Sequence, residues 1–87
     1  MDDRRKKLKF RAWRRGFREL DLILGPFADE LLPAMSEAEV AQFEALLKAP
    51  DQDAYSWILG APAPAEFETA LLEAIRRYRA EMGAQPQ

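Results

Sequence analysis

Arg15, Gly16 and Glu19 stand close together in the run RRGFRELD, residues 14–21, and their side chains bind rather than react. An arginine presents a planar fork of donors that suits a carboxylate or a row of carbonyl oxygens. Glu19 falls one helical turn after Arg15, where it can orient that fork or accept donors from another molecule. The glycine between them needs a reason, because inside a helix it costs roughly 0.5–1 kcal/mol relative to alanine. Two readings follow from the residues alone. One is a glycine turn with a local Arg15–Glu19 ion pair; the other is a helix corner where a second protein's backbone comes close.

Outside that run the chain excludes most catalytic chemistry. It has no cysteine and no histidine, which removes disulfides, thiol nucleophiles, the usual zinc sites and every Ser-His or Cys-His pair. Carboxylates, lysines and tyrosines remain, but they need a sheltered pocket to shift their pKa values, and 87 residues leave little room for one. A binding protein is therefore expected rather than an enzyme. Asp51 and Asp53 resemble the start of a metal site, yet two acids at a helix start are read as caps, and no metal is assigned.

Charge is divided unevenly. Residues 1–18 carry nine Lys/Arg and two Asp, whereas residues 19–87 carry four Lys/Arg and thirteen Asp/Glu, so +7 faces −9 within a net charge of −2. Such a field steers and orients a partner more than it shapes a fold. A small helical nucleic-acid-binding module using the basic N-terminal helix is the alternative this allows. The acidic remainder and the lack of a second helix with polar base-reading side chains weigh against it, so no nucleic acid is assigned. No membrane is assigned either: no run of about 20 apolar residues exists, and basic residues surround the first segment where an apolar face would be needed. Asp2, Asp3 and the absence of serine before residue 36 differ from a transit peptide, so the basic end is read as part of the mature domain.

The elements that must position the corner are all helical. Asp2 and Asp3 cap a first helix over 4–14, with Leu8 and Ala12 on its apolar side and Phe10 and Trp13 as further candidates. Phe17, Leu20, Ile23, Leu24, Phe27 and Leu31 form the stripe of a second, which Gly25-Pro26 should kink or split. Ser36 and Glu39 form a capping box for a third, closed by Ala49-Pro50. Asp51 or Asp53 caps a short fourth, anchored in the core by Tyr55 and Trp57 and stopped at Gly60. A fifth begins near Ala65 and carries Phe67, Leu71, Ile75, Tyr78 and Met82. Its Glu66, Glu68 and Glu73 should form exposed pairs at i,i+3 or i,i+4 spacing with Arg76, Arg77 and Arg79. The expected fold is an all-α, compact five-helix bundle in one domain over 1–87, ordered over roughly 4–82, with residues 83–87 as a flexible tail.

Over about residues 10–80 the chain resembles the small succinate dehydrogenase assembly factors known as flavinators. Their R-G-x-x-E hallmark at the first helix junction is matched by Arg15-Gly16-Phe17-Arg18-Glu19. Leu20-Asp21, Pro26-Phe27 and FEALLKAPDQDAYSWILG, residues 43–60, continue the likeness, while Phe17 stands where methionine is common and Ala49-Pro50 where the turn is more polar. The resemblance implies a chaperone-like factor that binds the immature flavoprotein subunit of succinate dehydrogenase, and that of fumarate reductase by extension, and promotes covalent FAD attachment there. It implies that FAD is attached to the partner and not stably bound by the factor, which would be a cytoplasmic monomer in a bacterium or a matrix protein in a mitochondrion. The partner-binding residues it implies are Arg15, Gly16 and Glu19, flanked by Arg11, Arg18 and Asp21.

Overall fold

The structure is a computed structural model that describes residues 2–84. Among these residues there are five α-helices, two short 3₁₀ turns and no strand. Helix α1 spans Asp3–Ala12 and begins as its sequence dictates, with the Asp2 carboxylate accepting from the Arg5 amide at 2.9 Å. Helix α2, Arg18–Leu31, is the central element: it packs on α1 and on α5, and contributes Leu20, Ile23, Leu24, Phe27 and Ala28 to the core. The Phe27 ring sits between Phe43, at 5.9 Å, and Tyr78, which meets it edge-on at 5.5 Å. Burying a side chain of this size is worth about 1.5–3 kcal/mol, so this cluster ties three helices together.

Pro26 neither splits α2 nor ends it. The helix runs through the proline to Leu31. The carbonyl that loses its amide partner is that of Leu22, and Leu22 is exposed, so water can take the place of the missing donor. A 3₁₀ turn, Leu32–Ala34, leads to the Ser36/Glu39 capping box, whose reciprocal bonds are 2.9 and 3.1 Å, and to α3, Glu37–Lys48.

Helix α4, Asp51–Ile58, departs from the sequence reading at its start: Pro50 occupies the N-cap, and neither Asp51 nor Asp53 caps by its side chain. Proline has no side-chain oxygen to accept from the first amides of the helix, and its preset φ starts α4 without a side-chain cap. At the other end, Gly60 takes φ +117°, and the amides of Gly60 and Ala61 bond the carbonyls of Trp57 and Ser56, both at 3.0 Å. This is the glycine stop expected from the sequence.

Helix α5 starts later than expected. Ala65–Phe67 is a separate 3₁₀ turn, Thr69 accepts from the Leu72 amide at 3.1 Å, and the helix spans Ala70–Ala84. Phe67 therefore lies off the α5 stripe and stacks on Trp57 at 4.8 Å, while Met82 at the far end is exposed. Trp57 and Tyr55 are partly buried and pack against the core. The expected flexible tail falls largely on residues 85–87, outside the described residues.

Arg76 is not a simple surface pair. Its guanidinium donates to the carbonyls of Trp57 at 2.8 Å and Ala61 at 3.2 Å, and to Glu68, fastening the α4–α5 connection; of the expected neighbours it meets Glu73, at 3.6 Å. The hydrogen bonds from Arg76, and then that from the Ala63 amide, hold the Glu68 carboxyl below its ordinary 4.5. Glu39 is lowered from 4.5 by the Ser36 amide, and Asp2 from 3.8 by the Arg5 amide.

A carboxyl with a depressed folded value stabilises the fold above its unfolded value and loses that contribution as pH falls through the folded one. Urea unfolding should accordingly give a nearly constant stability between about pH 5 and 7, since no histidine titrates there. The stability should decline as pH falls below 4.5 and then 3.8. Stability rising on acidification through that range would contradict these carboxylate assignments.

Candidate functional site

The corner between α1 and α2 is built by three backbone decisions. Trp13 closes α1 in a helical conformation, and the Arg14 amide reaches back to the Arg11 carbonyl at 3.1 Å. Gly16 then takes φ +85°, in the left-handed region that side chains disfavour. Phe17 follows in an extended conformation as the N-cap of α2. Phenylalanine has no capping oxygen, and the acid that organises the junction instead is Asp21. From the first turn of α2, its Oδ1 accepts from the Arg15 amide at 2.7 Å. The Phe17 ring packs on Tyr55 of α4, 4.9 Å between centroids, which seats the corner on a third helix.

The Arg15 side chain crosses to that same helix. Nε and Nη2 both donate to Asp51 Oδ1, at 3.0 and 2.8 Å, with Arg15 16% and Asp51 28% exposed. Asp51 is the first residue of α4, where the helix dipole favours a carboxylate. The local Arg15–Glu19 pair allowed by the sequence does not form. The Glu19 side chain is exposed and makes no hydrogen bond or ion pair among the described residues, and the same holds for the Arg18 side chain. Gly16 is also exposed, and a Cβ built on it would meet nothing within 4 Å. The glycine is thus explained by its backbone conformation, and the space above it is open. Four of the six expected residues, Arg15, Gly16, Arg18 and Glu19, lie in this one short stretch, with Asp21 beneath them as a brace.

Arg11 stands apart. Its side chain makes no bond to the corner and lies beside Lys6, Lys7 and Phe10 on the outer side of α1. The Glu44 carboxyl on α3 is held low by its hydrogen bond to Arg4, with Arg11 adding a weaker Coulombic pull. Part of the basic character of α1 is internal: Arg4 pairs with Glu44, Arg5 with Asp2 and Glu37, and Lys9 with Asp29. Arg5 also donates to the carbonyls of Leu32 and Met35, at 2.8 and 3.0 Å. Phe10, a candidate for the apolar side of α1, is instead 59% exposed, with the Arg14 guanidinium 4.3 Å above its ring. It points outward because Leu8 and Ala12 already fill the α1 seam and are buried.

Asp51 is the residue that sequence reasoning misplaced. As a capping acid its role would be local, but its partner lies 36 positions away. The only hint was an acid just after a proline, in the first turn of a helix. Among the described residues no group of three or more acidic side chains could hold a metal ion. Among the described residues no helix is long and apolar enough to cross a membrane. The corner offers a partly engaged guanidinium, a free carboxylate and an open stretch of backbone, an arrangement suited to recognising a protein surface.

Residues 6–79 match a family model described as flavinator of succinate dehydrogenase. Similar proteins include the mitochondrial succinate dehydrogenase assembly factor 2 of Dictyostelium discoideum, 39% identical over 75 residues, covering 85% of this chain and 53% of that protein. The FAD assembly factor SdhE of Acetobacter pasteurianus is 37% identical over 70 residues, covering 79% of this chain and 64% of the relative. That of Pseudomonas aeruginosa is 39% identical over 65 residues, covering 70% and 77%. The chain thus spans about half to two thirds of the length of the first two.

Proposed function

The chain belongs to the succinate dehydrogenase flavinator family, and from that membership we propose that it binds the immature flavoprotein subunit of succinate dehydrogenase and promotes covalent attachment of FAD to it. The observation that carries this reading is the corner of exposed Gly16, Arg18 and Glu19 beside the partly buried Arg15, with the glycine facing open space. The factor acts by binding, not as an enzyme. With no histidine or cysteine, it has neither side chain with which to hold the flavin methyl carbon covalently, consistent with the linkage forming on the partner's own residue. FAD is handled on the partner and is not resident here. The corner docks against the flavin domain, Arg15 and Glu19 make polar contacts near the attachment site, and Arg18, Asp21 and Arg11 support the approach. The factor works as a monomer, in the bacterial cytoplasm or a mitochondrial matrix, and a fumarate reductase flavoprotein is a second client of the same kind.

Catalysis of this type is selection of a partner state, and it demands differential affinity. Moving a competent conformation from 1% to about half of the population takes a roughly hundredfold preference for it, and release afterwards requires that the finished subunit be bound more weakly. Co-expression with a succinate dehydrogenase flavoprotein subunit tests this. The two should co-purify, the association should weaken as salt is raised, and flavin fluorescence on the denatured subunit should increase. Co-purification with no rise in covalent flavin would reduce the role to binding, and absence of both would reject it.

A further inference from the structure

We propose that Asp51 is a positioning residue for Arg15: it holds the guanidinium away from Glu19, so that a cation and a carboxylate are both presented to the flavoprotein subunit. This rests on the functional reading of the corner. Arg15 Nε and Nη2 converge on a single oxygen, Asp51 Oδ1, in a partly buried setting, while Nη1 makes no hydrogen bond among the described residues. Glu19, four positions after Arg15 across the Gly16 turn, is the local competitor in the sequence, and its carboxylate has no cationic partner among the described residues. Arg15 and Glu19 would largely cancel as a closed pair. Kept apart, they offer a partner a donor and an acceptor from one corner.

The anchor is built to stay in place. Pro50, at φ −56°, precedes α4 and fixes the backbone where Asp51 enters the helix, and the Asp51 carboxylate makes no capping bond. Phe17 against Tyr55 fixes the distance between the corner and α4. Asp21 holds the Arg15 backbone by its amide, so Asp51 needs to set only the direction of the side chain. An arginine held at both its backbone and its fork loses less freedom on binding than a loose one.

The full-length chain and a flavin-free flavoprotein subunit provide the test, read as dissociation constant and as initial rate of covalent flavin formation. Asp51→Asn, which keeps the shape and removes the charge, should lower both affinity and rate about tenfold, the scale of one lost charge-assisted contact. Asp51→Glu should recover part of each. On an Arg15→Ala background Asp51→Asn should change affinity less than about twofold, because a residue acting through Arg15 has nothing left to act on. A purely structural role would weaken binding equally on both backgrounds and would overturn the proposal. Wild-type rates for Asp51→Asn beside a strong loss for Arg15→Ala would overturn it while leaving the functional reading intact. No loss for Arg15→Ala would remove both. Should Asp51→Asn fail to fold, Asp51→Glu, with its carboxylate one methylene further out, carries the same two-background comparison.

Discussion

Gly16→Arg should leave the protein folded and helical while bringing covalent flavin on a co-expressed flavoprotein subunit to about a tenth of the wild-type level or lower. A Cβ at this position meets no atom within 4 Å and the site is exposed, so the main internal cost is the left-handed backbone, about 1–2 kcal/mol for a residue with a Cβ. A domain of this size has a total stability on the order of 4–13 kcal/mol, enough to absorb that. What the arginine changes is the space above the corner. A tenfold loss of affinity needs only about 1.4 kcal/mol, which a bulky side chain driven into a close protein contact readily exceeds.

The backbone and steric causes can be separated. Gly16→Ala carries the same conformational strain with a single added carbon, and Gly16→Asn tolerates a positive φ better than most residues but projects further. If close approach is the requirement, covalent flavin falls in the order Ala, Asn, Arg, following side-chain volume. If the turn itself is the requirement, asparagine is the mildest. Circular dichroism and a melting curve on each variant show whether the helices survive. Wild-type flavin incorporation by Gly16→Arg would remove the corner from the docking surface. For the surface-charge control in such a series, Arg79 is preferable to Arg76, whose hydrogen bonds to the carbonyls of Trp57 and Ala61 make it a structural clamp.

The features legible in the sequence are those whose cause and effect lie within a few residues. The Ser36/Glu39 box and the Gly60 stop each involve a handful of adjacent positions, and both form as expected. Leu20, Ile23, Leu24 and Phe27 of the α2 stripe were legible for the same reason, since helical periodicity is a local signal, and they are buried, whereas Leu31 at its end is 40% exposed and Phe17 is the partly buried N-cap. The R-G-x-x-E frame pointed to Arg15, Gly16 and Glu19, but not to their mutual geometry. Nothing in the chain between Arg15 and Asp51 signals that they meet, and Glu19 was the nearer acid. Arg76 was misjudged in the same way, because its carbonyl partners belong to the end of α4 and the connector after it. Pro26 shows the opposite case: of the kink or split that its local signal allowed, the split does not occur, and α2 runs on through the proline, packed on α1 and α5.

Beside Pro26 lies Gly25, where a single added methyl group is expected to cost stability. Gly25 is buried in α2, and an alanine Cβ there would collide with the six-membered ring of the Trp13 indole. Helix propensity alone predicts that Gly→Ala inside a helix stabilises by about 1 kcal/mol. The contact predicts the reverse. Trp13 cannot easily withdraw, because it forms the C-cap of α1 and its Nε1 donates to Asp29 at 3.1 Å. Either the indole leaves its seat, breaking that bond and uncovering α2, or α1 shifts from α2 and disturbs the packing of Leu8 and Ala12. Overpacking of this kind costs typically about 1–3 kcal/mol, so Gly25→Ala should lower the melting temperature by roughly 5–20 °C. Trp13→Ala should also destabilise, by exposing the α2 surface the indole covers. In the Trp13→Ala background, however, Gly25→Ala should become neutral or stabilising, because the clash is gone and only the helix preference remains. Urea unfolding of the four proteins measures that change of sign. If Gly25→Ala is stabilising in the presence of Trp13, the indole does not rest on this glycine, and the α1–α2 corner is held by Asp21 and Asp51 without it.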